Sequence, residues 1–233
     1  MLEIENIRTF YGVKQVLFGV TLSIKAGEVV TLMGRNGIGK TAAIRSIIGF
    51  TPAASGSIKL DGNEIRELPS YQIAKAGIGL VPEGRQIFPN LTVHENIIAT
   101  AYVRAGTTNP WTAKEIYALF PRLAERKTNW GWQLSGGEQQ MLAIGRALAI
   151  NPKLLILDEA TEGIAPLIRQ EIWNCLRSVK ALGQSILVVD KNLDALLTLA
   201  DRHYMIEKGV IVWQGSSPEL RATPETYERY LGV

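Results

Sequence analysis

The sequence predicts an α/β fold, and three observations carry that prediction. Val29 to Met33 is an unbroken apolar run that leads through a glycine-rich turn into a helix-like stretch, Thr41-Ala-Ala-Ile-Arg-Ser-Ile-Ile48. Two further short apolar runs, Lys153 to Asp158 and Gln184 to Val189, are separated by a stretch with helical spacing. Strands that are apolar on both faces belong to parallel sheets covered on both sides, and parallel strands need crossover helices between them. The third observation is alternation. Leu2-Glu-Ile-Glu-Asn-Ile7 and Gln15 to Ile24 change character at every residue, and Ser57-Ile-Lys-Leu-Asp-Gly62 reads as a short strand closing in an Asp-Gly turn. These segments predict an antiparallel β layer beside the parallel core.

Between Pro89 and Lys127 the apolar positions fall at helical spacing, Val93, Ile97 and Ile98, then Ile116, Leu119, Phe120 and Leu123, with no strand pattern among them. A helical subdomain over about residues 89–149 is therefore expected. The whole chain, 1–233, reads as one domain whose core is built from residues 1–88 and 150–233.

Composition narrows the function classes. Twenty-five Lys and Arg against 22 Asp and Glu leave a net charge of +3, and 46% of the residues are hydrophobic, so the chain carries enough apolar surface for a sizeable core. No cluster of five or more basic residues exists, which argues against a nucleic-acid partner. The single cysteine, Cys175, allows no disulfide within the chain, and a reducing cytoplasm is expected. The longest stretch without a charged residue, Ser46 to Ile58, has 13 residues and is broken by Gly49, Pro52 and Gly56. A membrane-spanning helix needs about 20. The acidic start, MLEIENIRTFYG, does not resemble a secretory signal.

Gly34-Arg-Asn-Gly-Ile-Gly-Lys40-Thr41 fits the pattern G-x-x-x-x-G-K-[ST] and lies between a strand and a helix, as a phosphate-binding loop requires. Glycines such as Gly34, Gly37 and Gly39, with Asn36 between them, let successive backbone N–H groups turn toward an anion. The helix start adds positive potential, Lys40 reaches the β- and γ-phosphates, and the Thr41 hydroxyl binds Mg²⁺. Such a loop needs a second acid for magnesium, and Leu154-Leu-Ile-Leu157-Asp158-Glu159 supplies one at a strand end: Asp158 for the metal, Glu159 to polarise an attacking water. Alone, two acids at a strand end read equally well as helix caps. Leu134-Ser135-Gly136-Gly137-Glu138-Gln139-Gln140 is a capping box, Ser135-x-x-Glu138, opening a helix through Met141, Ile144 and Leu148. Its spacing is equally that of an ordinary helix start. Cys175 falls on an apolar helix face with Ile172, Leu176 and Val179 and reads as core packing. Trp130 and Trp132 read either as packing beneath the Ser135 turn or as facing a partner.

The phosphate loop, LSGGEQQ and LLILDE, in that order, resemble the ATP-binding subunits of ABC transporters over essentially the whole chain. Within them, Val81-Pro-Glu-Gly-Arg85-Gln-Ile-Phe-Pro89-Asn-Leu-Thr-Val93-His-Glu-Asn96 and Asp158-Glu-Ala-Thr-Glu-Gly-Ile-Ala-Pro166 are similar to the branched-chain amino acid importer ATPases. The resemblance implies a P-loop NTPase core of ABC ATPase type that binds ATP and Mg²⁺. It implies two such chains, identical or different, packed head to tail, each ATP lying between one chain's phosphate loop and the other's Ser135, Gly136 and Gly137. Tyr11 would stack on adenine, with Val16 nearby. Two membrane permease subunits, and indirectly a substrate-binding protein, would be its partners at the cytoplasmic face of the cell membrane.

Three residues depart from the wider family's pattern. Glu83 stands where a glutamine usually meets magnesium, with Gln86 three residues later; a carboxylate still binds Mg²⁺ but donates no hydrogen bond. Ala42 replaces a second hydroxyl after Lys40-Thr41. In Val188-Val-Asp-Lys191-Asn192 a lysine occupies the place of the switch histidine, and His94 and His203 lie elsewhere. Lys191 is expected to meet the γ-phosphate electrostatically, or else to be a solvated lysine at a helix start. A soluble ABC protein in a non-transport role and a weakly hydrolysing regulator are the competing readings. The intact set Lys40, Thr41, Asp158 and Glu159 stands against the second of these.

Overall fold

The computed structural model describes residues 1–35, 37 and 39–231. In chain order, β1 (Leu2–Tyr11) and β2 (Lys14–Ile24) form a hairpin, and β3 (Val29–Met33) leads through the phosphate-loop segment into α1 (Lys40–Ile47). Then come β4 (Ser55–Leu60), β5 (Asn63–Glu64), α2 (Ser70–Ala76) and β6 (Ile78–Val81). A run of helices follows: α3 (Val93–Ile98), α4 (Ala113–Leu119), α5 (Pro121–Glu125) and α6 (Gly136–Ala149). The chain closes with β7 (Leu154–Asp158), α7 (Pro166–Ala181), β8 (Ser185–Val189), α8 (Leu193–Leu199), β9 (Arg202–Glu207), β10 (Val210–Ser216), α9 (Ser217–Ala222) and α10 (Pro224–Leu231).

The strands form two sheets. One is antiparallel with order β2-β1-β4-β5, the layer that alternation predicted, and Asp61 and Gly62 turn its β4–β5 corner with positive φ. The other has order β10-β9-β3-β8-β7-β6 and is parallel except for β10 at its edge.

Both faces of the parallel sheet are covered, and the period of two divides its residues between two cores. Val30, Leu32, Leu154, Ile156, Leu187 and Val189 face α1 and the antiparallel sheet. Val29, Met33, Leu155, Leu157, Ile186 and Val188 face the other way, onto α6, α7 and α8, where Cys175 is buried with Ile172, Leu176 and Val179. The continuous apolar runs in the sequence are therefore two interleaved alternations.

Three strands carried no clear signal. β6 is interrupted by Gly79, where a Cβ would lie 2.9 Å from the Ala147 carbonyl of α6, so close helix packing excludes a side chain. β9 is bounded by Arg202 and Glu207 and contains the buried His203, which hides its apolar face, and β10 is an edge strand of alternating exposure. Among the described residues no helix is long and apolar enough to cross a membrane.

Candidate functional site

The parallel register places the carboxyl ends of β3, β8, β7 and β6 side by side, with Val81 opposite Leu157 and Asp158 opposite Val189. Ligands of open parallel sheets bind at this edge. Four loops meet there: 34–39 after β3, Pro82 to Phe88 after β6, Glu159 to Ala165 after β7, and Asp190 to Asn192 after β8.

The first loop needs its glycines. Gly39 caps α1 with φ of +119°, and a Cβ there would lie 3.0 Å from Ile206 Cδ1 and 3.1 Å from Leu17 Cδ2, so neither the conformation nor the space admits a side chain. No side chain caps α1 and no acid lies in its first turn, which leaves its N–H groups available to an anion. Lys40 is nearly buried, and its Nζ donates to the carbonyls of Gly34 (2.6 Å) and Arg35 (3.2 Å).

A cleft of about 510 Å³ opens over this helix start. Tyr11 and Val16 wall it from the β1–β2 hairpin, Gly37, Gly39, Lys40, Thr41 and Ala42 from the loop and α1, Glu83 from the end of β6, and Glu159 from the end of β7. Asp158 is buried beside them. Asn36 lies outside the described residues. Lys14, Phe18, Lys208 and Gly209 also line the cleft, and the sequence reading missed them. The available signal was the Lys208-Gly209 turn: Gly209 comes so close to β2 that a Cβ would meet the Val16 carbonyl, and its own carbonyl accepts from Phe18 N at 2.9 Å.

Lys191 and Glu162 sit on a second cleft of about 430 Å³ that shares Glu159 with the first. Lys191 Nζ donates to Glu162 Oε1 at 2.6 Å and lies 3.6 Å from Glu159 Oε2. The side chain is thus neither merely solvated nor bonded to the phosphate loop. Glu159 itself has φ of +49°, a left-handed conformation that costs a non-glycine residue about 1 kcal/mol or more. Its N–H donates to the Val189 carbonyl at 2.8 Å, which holds the strained residue in place.

Ser135, Gly136 and Gly137 are not walls of the nucleotide-sized cleft. Ser135 caps α6 as its spacing predicts, with Ser135 N donating to Glu138 Oε2 (2.8 Å) and Glu138 N to Ser135 Oγ (3.4 Å). Close packing explains Gly137, where a Cβ would lie 2.5 Å from Ile168 Cγ2; on Gly136 a Cβ would meet only the movable head of Arg85, 2.5 Å from its Nη1. Trp130 and Trp132 are exposed, so they do not pack beneath this turn.

Comparison with known proteins identifies the chain. The ABC transporter family model matches residues 17–162. The chain belongs to the ABC transporter family. Like the ATP-binding cassettes of that family it is an ATPase. The high-affinity branched-chain amino acid transport ATP-binding protein BraG of Pseudomonas aeruginosa is 41% identical, over 100% of both chains. The lipopolysaccharide export system ATP-binding protein LptB of Haemophilus influenzae is 32% identical over 100% of this chain and 97% of its own. Of solved structures, the ADP conformation of an ATP-binding cassette of an ABC transporter gives a TM-score of 0.84 at 27% identity, covering 100% of this chain and 99% of that one. A nucleotide-free cassette gives 0.85 at 26% identity, covering 99% and 97%.

The electrostatics of this ABC cassette fit its chemistry. Burial holds the Lys40 ammonium below the usual lysine range, against the opposing pull of Glu159 and Asp158. Burial, and then the charge of Glu83, push the Asp158 carboxyl up to about 6. Asp158 and Glu83 therefore crowd negative charge at two strand ends. Together with the Thr41 hydroxyl they form a set of hard oxygen donors that suits Mg²⁺. A hydrogen bond shared with Glu162, and then burial, raise the Glu159 carboxyl to about 7, where a general base works at neutral pH.

Proposed function

We propose that the chain is the ATP-hydrolysing subunit of an importer for branched-chain amino acids, bound to two membrane permease subunits at the cytoplasmic face of the cell membrane and served by a substrate-binding protein. The observation that carries this reading is the identity of 41% to BraG over the full length of both chains, against 32% to LptB.

In this reading Tyr11 stacks on adenine beside Val16. The N–H groups of the 34–39 loop, with those of Lys40, Thr41 and Ala42, cradle the phosphates, and the Lys40 ammonium turns to the β- and γ-phosphates. Thr41, Asp158 and Glu83 would hold Mg²⁺, which when bound would supply charge neutralisation at the phosphates. Glu159 accepts a proton from the attacking water. Lys191 has donors but no acceptor, so it stabilises developing charge without relaying a proton. A second ATP-binding chain, identical or homologous, contributes Ser135, Gly136 and Gly137 to the same ATP. The cis cleft does not contain these three residues, which is what a shared site requires.

Two experiments test it. Glu159→Gln keeps the shape of the base but not its basic oxygen, so the variant should bind ATP, lose about 10²- to 10⁴-fold in turnover, and run as an ATP-dependent dimer in size-exclusion chromatography. Normal turnover would remove Glu159 from its role, and a monomer with ATP would count against the shared site. The substrate is tested in a strain lacking this gene: uptake of labelled leucine, isoleucine and valine should fall, and return with the wild-type gene but not with Lys40→Ala. Unchanged uptake of all three would refute the substrate assignment.

A further inference from the structure

Glu162 neighbours Glu159 and is given no contact with ATP in the reading above, yet it is the residue that Lys191 grips. The ammonium is hydrogen-bonded to Glu162 at 2.6 Å and stands off Glu159 at 3.6 Å, so it lies between two carboxylates and bonds one of them. The backbone is arranged to hold it there. Asp190, the residue before Lys191, accepts from both the N–H (3.2 Å) and the hydroxyl (2.7 Å) of Thr161, the residue before Glu162. The other oxygen of Asp190 accepts from Asn192 N at 3.0 Å. Adjacent positions on the two loops are thus paired twice, 161 with 190 and 162 with 191.

Glu159 cannot step aside. Its left-handed backbone is pinned to β8 through the Val189 carbonyl, and its side chain is largely enclosed, whereas those of Lys191 and Glu162 are about half exposed. Of the three, the long lysine is the one free to choose an acceptor. An ammonium bonded directly to Glu159 would occupy a carboxylate oxygen that has to receive the proton of the attacking water.

We propose that Glu162 is a positioning residue for ATP hydrolysis: it holds the Lys191 ammonium off the Glu159 carboxylate, so that lysine charge and the base coexist within 4 Å of each other. The inference rests on the roles given to Glu159 and Lys191 above.

The test is steady-state ATP hydrolysis by the full chain and four variants, Glu162→Ala, Glu162→Asp, Lys191→Ala and the double variant Glu162→Ala/Lys191→Ala. Glu162→Ala should lower kcat about fivefold with KM for ATP within about twofold, because the released lysine turns to Glu159. Glu162→Asp should recover part of the loss. The double variant should match Lys191→Ala within about twofold, since without an ammonium there is nothing to hold. The inference is overturned if Glu162→Ala keeps the parent's kcat, or if its loss is as large without Lys191 as with it. Failure of the underlying reading has a different signature, Glu159→Gln or Lys191→Ala turning over like the parent.

Discussion

Two helices of this chain begin beside glycines, and they begin in opposite ways. α1 starts at Gly39, a position with no room for a side chain, with no side-chain cap and no acid in its first turn, and Lys40 supplies a fixed positive charge. α6 starts with a complete capping box, and the Glu138 carboxylate within its first turn is itself paired with Arg126 at 2.7 Å. A capping carboxylate answers part of the helix's demand for negative charge. α1 is therefore open to an anion within its own chain, whereas α6 is a stable helix start before any phosphate arrives. The lesson is that a site one chain completes shows in local geometry, whereas the one we propose to be shared does not.

Lys40→Ala should produce the largest effect and break the first region outright. Turnover should vanish and ATP affinity fall about 10- to 100-fold, the worth of one charge-assisted hydrogen bond of about 1.5–3 kcal/mol. Isothermal titration and phosphate release measure both.

Acid should act next, on the face of the parallel sheet opposite α1. His203 of β9 lies fully buried between the Thr31 hydroxyl of β3 (2.7 Å) and the Ser217 hydroxyl (2.8 Å), and burial pushes its imidazole down from 6.5 to about 4. Its folded pKa is depressed, so the unfolded chain binds the proton more readily. Stability is retained above about 6.5 and lost as pH falls toward 4, by about 3 kcal/mol in all. Urea denaturation across that range should show the loss, and His203→Gln should flatten it. The same slope in the variant would contradict the assignment.

Lys191→Ala should reduce turnover at saturating ATP about 10-fold while leaving ADP affinity unchanged, because ADP lacks the γ-phosphate. A change within twofold would remove Lys191 from the site.

Glu138→Ala should have the smallest effect and sharpen the contrast. It should cost about 1 kcal/mol of stability by thermal melting, with ATP affinity of the single chain unchanged. α1 has no equivalent cap to lose.

How much was legible in the sequence follows the same division. The α1 site could be read because its chemistry is contiguous: Gly34 to Thr41 is a complete instruction, and Asp158-Glu159 ends an unmistakable apolar run. Glu162 could not, since its significance comes from Lys191, 29 residues away in the chain and placed beside it by the β7–β8 register. Phe18 and Gly209 escaped notice for a similar reason, being joined only through the packing of β2 against the β9–β10 turn. In the fold, β3, β7 and β8 were plain as apolar runs. β6 and β9 were not, because Gly79 and His203 are dictated by neighbours distant in sequence.

The central claim is that one chain's α1 and another chain's α6 act on the same ATP, and mixing two crippled variants tests it most directly. Lys40→Ala removes the phosphate-loop charge. Gly136→Asp displaces the Arg85 head and sets a negative charge where phosphate would come. Each alone should hydrolyse ATP poorly. In a mixed dimer, one site has the intact loop of the second variant facing the intact Ser135 turn of the first, so the mixture should hydrolyse ATP faster than either variant at the same total concentration. A mixture no more active than the mean of its parts would mean that the two helix starts do not share a nucleotide.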